Sequence, residues 1–149
     1  MRNANDNHIG ALRQSRVRLG RRRILVVEDE ALVAMLIEEF LHDAGAEVVG
    51  AVGSVAEALS LIEQMTSDGG LDGAVLDIHL DGEAVTPVAD RLAALGVPFL
   101  FATGYGDDRG RGEHATAPIL HKPFAFAALV AAVGSLPNSK TSESSRPLG

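Results

Sequence analysis

The chain has 149 residues, 46% hydrophobic and 22% charged, a balance that suits one globular domain with a core and excludes a disordered chain. It has no cysteine, which excludes disulfides and thiolate metal sites, and no apolar run near the ~20 residues that span a bilayer. The net charge of −7 is unevenly placed: residues 1–23 set seven Arg against Asp6, whereas residues 24–136 set four cations against eighteen acids, a poor match for the phosphates of a nucleic-acid groove.

Residues 1–22 are polar and Arg-rich without a sustained apolar period, and read as a flexible basic arm. RILVV at 23–27 is a short β-branched run typical of a strand buried on both faces. A helix follows from Ala31 to Ala44, with Leu32, Met35, Leu36, Phe40 and Leu41 as its apolar positions and Gly45 at its end. Glu47 to Ala51 reads as the second strand. Ser54 and Glu57 form a capping box that opens a helix to about Met65. Gly73 to Asp77 is the third strand, Glu83 to Leu95 the third helix, closed by Gly96, and Pro98 to Thr103 the fourth strand. Between Asp107 and Ala117 a weak fourth helix is expected, because Gly110 and Gly112 each cost about 1 kcal/mol against Ala in a helix interior. Ile119 to His121 is a short fifth strand, and Phe124 to Val133 a last helix that packs through Leu129, Val130 and Val133. Residues 137–149, rich in Ser and Pro, read as a disordered tail. Residues 23–136 are thus one α/β domain, a doubly wound five-stranded parallel sheet covered on both faces.

In such sheets ligands bind outside the carboxyl ends of the strands. Those ends carry Glu28-Asp29-Glu30 after the first strand, Asp77 after the third, Thr103 after the fourth and His121-Lys122-Pro123 after the fifth. Glu28, Asp29 and Asp77 in one small space need a cation. Hard oxygen ligands with room for water suit Mg²⁺, which together with Lys122 balances the site. An Asp there can attack phosphorus and become an aspartyl phosphate, while Thr103 and Lys122 hold the phosphoryl oxygens. Taken singly, these residues have ordinary readings: Asp77 as a turn former or helix N-cap, the acidic triplet as favourable charge at a helix start, and Lys122 as a surface lysine. The five histidines show no metal-ligand spacing.

Glu28-Asp29, Asp77, Thr103 and Lys122-Pro123, in this order and at these strand ends, resemble the receiver domain of two-component response regulators over residues 22–135. The resemblance implies a flavodoxin-like sheet of strand order 2-1-3-4-5, with Asp77 as phosphoacceptor. It also implies a Mg²⁺ site of Asp29 and Asp77, Glu28 acting through water and the backbone carbonyl of His79 completing it, and a Lys122-Pro123 bond of the cis form common in such domains. FATGYG at 101–106 resembles the signature of the FATGUY group, mostly stand-alone receivers from alphaproteobacteria. Better-known receivers place Tyr or Phe three residues before the Lys; Ile119 stands there, which leaves Tyr105, between Gly104 and Gly106, as the switch candidate. Phosphorylation is expected to draw Thr103 inward and order residues 105–117.

The expected function is a soluble, cytoplasmic single-domain response regulator. It would accept a phosphoryl group from a sensor histidine kinase or histidine phosphotransfer protein, with output by protein contact or as a phosphate sink. No nucleic acid or membrane is expected as a partner; pairing of two copies is compatible with the resemblance. It is expected to be a phosphoacceptor and not an enzyme. A Mg²⁺-dependent phosphatase with an Asp nucleophile is the first alternative, weakened because His79 stands where such enzymes place a second carboxylate. A pseudo-receiver that binds partners without phosphorylation is the second.

Overall fold

Alternating side chains along the three central strands build two cores at once. A computed structural model describes residues 19–66, 70–104 and 111–137. Its strands β1 (Arg23–Val27), β2 (Glu47–Val52), β3 (Gly73–Asp77), β6 (Phe99–Thr103) and β7 (Ile119–His121) form one parallel sheet in the order β2-β1-β3-β6-β7. A two-stranded antiparallel hairpin, β4 (His79–Leu80) and β5 (Glu83–Ala84), interrupts the count but not the sheet, so the order is the expected 2-1-3-4-5. Leu25, Val27, Ala74, Leu76, Phe99 and Phe101 face one side, where α2 (Val55–Thr66) and α3 (Thr86–Ala94) cover them with Ala58, Ile62, Val88 and Leu92. Ile24, Val26, Val75, Leu100 and Ala102 face the other, under Ile37 and Leu41 of α1 (Ala31–Asp43) and Leu129, Val130 and Val133 of α4 (Phe126–Gly134). The period of two along each strand makes both faces apolar, as a parallel sheet with helices on each side requires.

The helix ends follow local chemistry. Ser54 Oγ accepts from the Glu57 backbone N–H at 3.2 Å, the first half of the capping box expected at the start of α2, while Glu57 Oε1 accepts from the Ser54 hydroxyl and from the N–H of Gly53, one position before the N-cap. Beyond α1, the Gly45 N–H donates to His42 O and the Ala46 N–H to Leu41 O, the paired bonds of a Schellman end.

Four expectations need correction. The outer stripe of α1 is not its core face: Leu32, Met35 and Leu36 are 79%, 58% and 43% exposed, while Ala34, Ile37 and Leu41 are buried. The third helix begins at Thr86, not Glu83, because Asp81 and Gly82 both take positive φ (48° and 87°) and turn Glu83–Ala84 back along His79–Leu80. Residues 19–22, expected as part of the basic arm, instead pack against the domain. Leu19 is fully buried in the α1–α4 core, its N–H donates to Ala44 O at 2.9 Å, and Arg22 Nη1 donates to Val133 O at 2.9 Å. Finally, described residues 111–118 form turns rather than a helix, with Arg111 Nη1 donating to Ala115 O and Ala117 O. His114 Nε2 lies 2.7 Å from Asp90 Oδ1 on α3, and its ring meets Phe99 edge-on at 5.3 Å. Residues 1–18, 105–110 and 138–149, with Tyr105, Gly106 and both expected tails, lie outside the described residues.

Candidate functional site

Four of the five strands, all but β2, each deliver one contribution to the same rim. β1 ends at Val27, and the Glu28 N–H donates to Val52 O at 2.9 Å, which carries the chain one position beyond the strand in register with β2. β3 ends at Asp77, paired in register with Ala102 of β6, so Thr103 stands one position further along the neighbouring strand. β7 ends at His121, opposite Thr103, and the Lys122 N–H donates to Thr103 O at 2.8 Å. The Lys122-Pro123 bond is cis.

These placements bring Glu28, Asp29, Asp77 and Lys122 together. Carboxylate oxygens of Glu28, Asp29 and Asp77 lie within 4.8 Å of one another; Glu28 and Asp77 are buried and Asp29 is exposed. Lys122 Nζ lies 2.8 Å from Glu28 Oε1 and 3.3 Å from Asp77 Oδ2. Glu28 Oε1 is sealed from solvent, and the Lys122 ammonium is the charge that faces it. The other Glu28 carboxylate oxygen accepts the Glu30 N–H at 3.1 Å. Burial pushes the Glu28 carboxyl up to about 6; the Lys122 contact opposes the rise and the Asp77 charge adds to it. For Lys122, burial works against the charge, but Glu28 and Asp77 outweigh it, and the ammonium titrates above its ordinary value.

The donor set fits a hard divalent cation. Three carboxylates converge, and one of them is exposed and open to ligands from water. Thr103 is buried at 1% exposure. His79 is exposed, and its N–H donates to Asp77 Oδ1 at 3.3 Å. Gly104 is exposed at the edge of the stretch that holds Tyr105. Sequence reasoning passed over Glu30, whose Oε1 lies 4.0 Å from Lys122 Nζ; its signal was only its place in the acidic triplet.

Comparison with known proteins agrees with this geometry. The family model described as the response regulator receiver domain matches residues 24–134. The chain is 33% identical over 120 residues to the transcriptional regulatory protein PdtaR of Mycobacterium tuberculosis, covering 75% of this chain and 55% of PdtaR. It is 33% identical over 104 residues to the phyllosphere-induced regulator PhyR of Methylorubrum extorquens, covering 68% of this chain and 38% of PhyR. It therefore spans about half the length, or less, of these curated relatives. The solution structure of SdrG from Sphingomonas melonis Fr1 is similar over 76% of this chain and 97% of SdrG, with 44% identity and a TM-score of 0.64. Five parallel strands in receiver order, with an acidic cluster and a lysine at their carboxyl ends, are thus matched by sequence as well as by fold, and the chain belongs to the response regulator receiver domain family.

Proposed function

We propose that Asp77 accepts a phosphoryl group from a phosphohistidine on a sensor kinase or phosphotransfer protein, and that the loaded chain acts by protein contact or by draining phosphoryl groups from its donor. The observation that carries this reading is the junction of Asp77 Oδ2 with Lys122 Nζ at 3.3 Å, beside Glu28 and Asp29. A carboxylate oxygen of Asp77 forms a bond to phosphorus as the phosphorus–nitrogen bond of the donor breaks, and the departing imidazole nitrogen takes a proton from solvent. Lys122 holds a phosphoryl oxygen, and Thr103, one position beyond the residue paired with Asp77, donates its hydroxyl to another. Glu28, Asp29 and Asp77, with the His79 carbonyl, would hold Mg²⁺, whose charge offsets that of the transferring group. Gly104, Tyr105 and Gly106 are the proposed responsive segment.

The donor has a surface suited to it. A groove of about 380 Å³ lined by Val33, Leu36, Gly104, Pro123 and Phe124 opens beside Lys122. An apolar helix face laid there brings its histidine to the rim.

The deciding measurement is intact-protein mass after incubation with acetyl phosphate and Mg²⁺, for wild type and Asp77→Asn. A gain of about 80 Da, one phosphoryl group, in wild type alone is expected. Steady release of phosphate without an adduct would favour a phosphatase. No adduct and no Mg²⁺ binding would leave a pseudo-receiver.

A further inference from the structure

The hairpin that follows Asp77 is held at its base and at its turn. At the base Ile78, Leu80 and Val85 are buried, and the Val85 N–H donates to Ile78 O at 3.2 Å. At the turn, residues 81–84 are exposed, and among the described residues one hydrogen bond ties them to another element: Glu83 Oε1 accepts the Val55 N–H at 3.3 Å. Val55 is the first residue of α2, where the helix dipole favours an anion. Glu83 pairs with Leu80 across the hairpin, so Leu80 enters the core on which Val55 packs while Glu83 reaches the helix end beside it.

The register of this hairpin aims a backbone group at the rim. Ile78–Val85 and Leu80–Glu83 are the bonded pairs of the ladder, so His79–Ala84 between them is the wide pair, and the His79 N–H and C=O both point away from Ala84. The N–H reaches Asp77 Oδ1 at 3.3 Å, which puts the carbonyl on the Asp77 side as well. The same helix start governs the opposite wall. Gly53, two residues before Val55, packs so closely on Asp29 that a Cβ there would meet Asp29 Cα at 3.4 Å, and Glu57 holds the Gly53 N–H.

We propose that Glu83 is a positioning residue for the cation site: by gripping the amino end of α2 it fixes the separation between the His79 carbonyl and Asp29, which reach the site from different loops. The inference rests on the Mg²⁺ site of the proposed function. Glu83 is not among the carboxylates that converge there and serves as no ligand itself. Without its grip the turn swings about the buried base, the carbonyl loses its aim, and cation binding weakens while the fold stands. A carboxylate near the rim could also attract a cation by charge alone, and the experiment separates the two effects.

Mg²⁺ affinity is measured by calorimetry, and backbone order by ¹⁵N relaxation in chelator, for wild type, Glu83→Ala, Glu83→Gln and Asp81→Asn. Gln keeps an oxygen for the Val55 N–H without the charge. Asp81→Asn removes a charge from the same turn, and Asn tolerates the positive φ of 48°. Glu83→Ala is expected to bind Mg²⁺ about tenfold more weakly, the low end of the loss when the outer partner of a metal ligand is removed. Its order parameters at 81–84 fall from about 0.85 toward about 0.6, with the urea midpoint unchanged. Glu83→Gln and Asp81→Asn stay within about twofold of wild type, as a screened, exposed charge allows. Equal weakening in all three variants would overturn the proposal in favour of charge attraction. So would a Glu83→Ala chain that binds as wild type does, or one that binds weakly with 81–84 as ordered as before. A wild type with no Mg²⁺ affinity would overturn the proposed function itself, and this inference with it.

Discussion

Lys122 Nζ stands between two carboxylates, 2.8 Å from Glu28 Oε1 and 3.3 Å from Asp77 Oδ2, so one cation serves acids carried by two adjacent strands. Lys122→Met leaves those acids facing each other without it. Breaking a fully buried pair costs about 3–5 kcal/mol, and the partial exposure of Lys122 together with the readiness of Glu28 to take a proton brings the expected loss to about 2 kcal/mol at pH 7.5. Urea unfolding in chelator measures it. The loss shrinks at pH 5, where Glu28 is largely neutral; an equal loss at both values would count against the bridge.

Glu28 also gives the metal-free chain a distinct pH signature. The folded state holds the Glu28 proton up to about pH 6, whereas the unfolded chain releases it near 4.5, the ordinary value for a glutamate. Between these values the folded state binds more protons, so stability from this group falls as pH rises through the window. The shift corresponds to about 2 kcal/mol, present below pH 4.5 and gone above pH 6. Other carboxylates titrate in the same range, so the measurement is the difference between wild type and Glu28→Gln. Relative to the variant, wild type loses stability from pH 4 to 7; a flat difference would refute the assignment.

The same carboxyl links metal binding to protons. A carboxylate must be ionised to serve a cation, so Mg²⁺ binding at pH 6 is expected to release about half a proton from Glu28 and almost none at pH 8. Calorimetry in two buffers of different ionisation enthalpy reads this number directly. Glu28→Gln abolishes the release while Asp29 and Asp77 still bind the ion more weakly.

The segment after β6 offers a steric test. Gly112 has φ of 59°, and a Cβ built there would overlap Thr86 Cγ2 at the start of α3. Gly112→Ala is expected to cost about 1–3 kcal/mol from the left-handed backbone and the contact together. Thr86→Ser removes the offending methyl group. In the Gly112→Ala background it recovers the steric part and leaves the backbone part, so the two changes couple in a double-mutant cycle. Additive effects would mean that residues 111–118 do not rest on α3 as described.

The rim was legible in the sequence because its chemistry departs from the strands that deliver it. Glu28, Asp77, Thr103 and Lys122 each interrupt an apolar run at its carboxyl end, and a parallel sheet aligns such ends by construction. The hairpin at 79–84 was passed over although Asp81-Gly82 is a hairpin signal, because its strands have two residues each and a helix pattern follows at once. Leu19 was passed over because a single apolar residue among arginines carries no period. Glu28 was expected to share a cation with Asp29; its close engagement with Lys122 depends on a side-chain course that spacing cannot give.

The face of α1 was misread for another reason: the helix is apolar on both sides, and Leu32, Met35, Leu36, Phe40 and Leu41 fit a helical period as well as Ala34, Ile37 and Leu41 do. Only Leu41 belongs to both sets of core positions. Substitution separates the faces. Leu32→Gln keeps a good helix former at a position 79% exposed and is expected to change stability by less than about 0.5 kcal/mol. Leu41→Ala empties a site with no solvent exposure, packed among Leu19, Ile37 and Val133, and is expected to cost about 2–5 kcal/mol. Urea midpoints of the two variants at a common slope decide the matter. A large loss for Leu32→Gln would place that side chain in the core and remove the open α1 face beside which donor docking is argued.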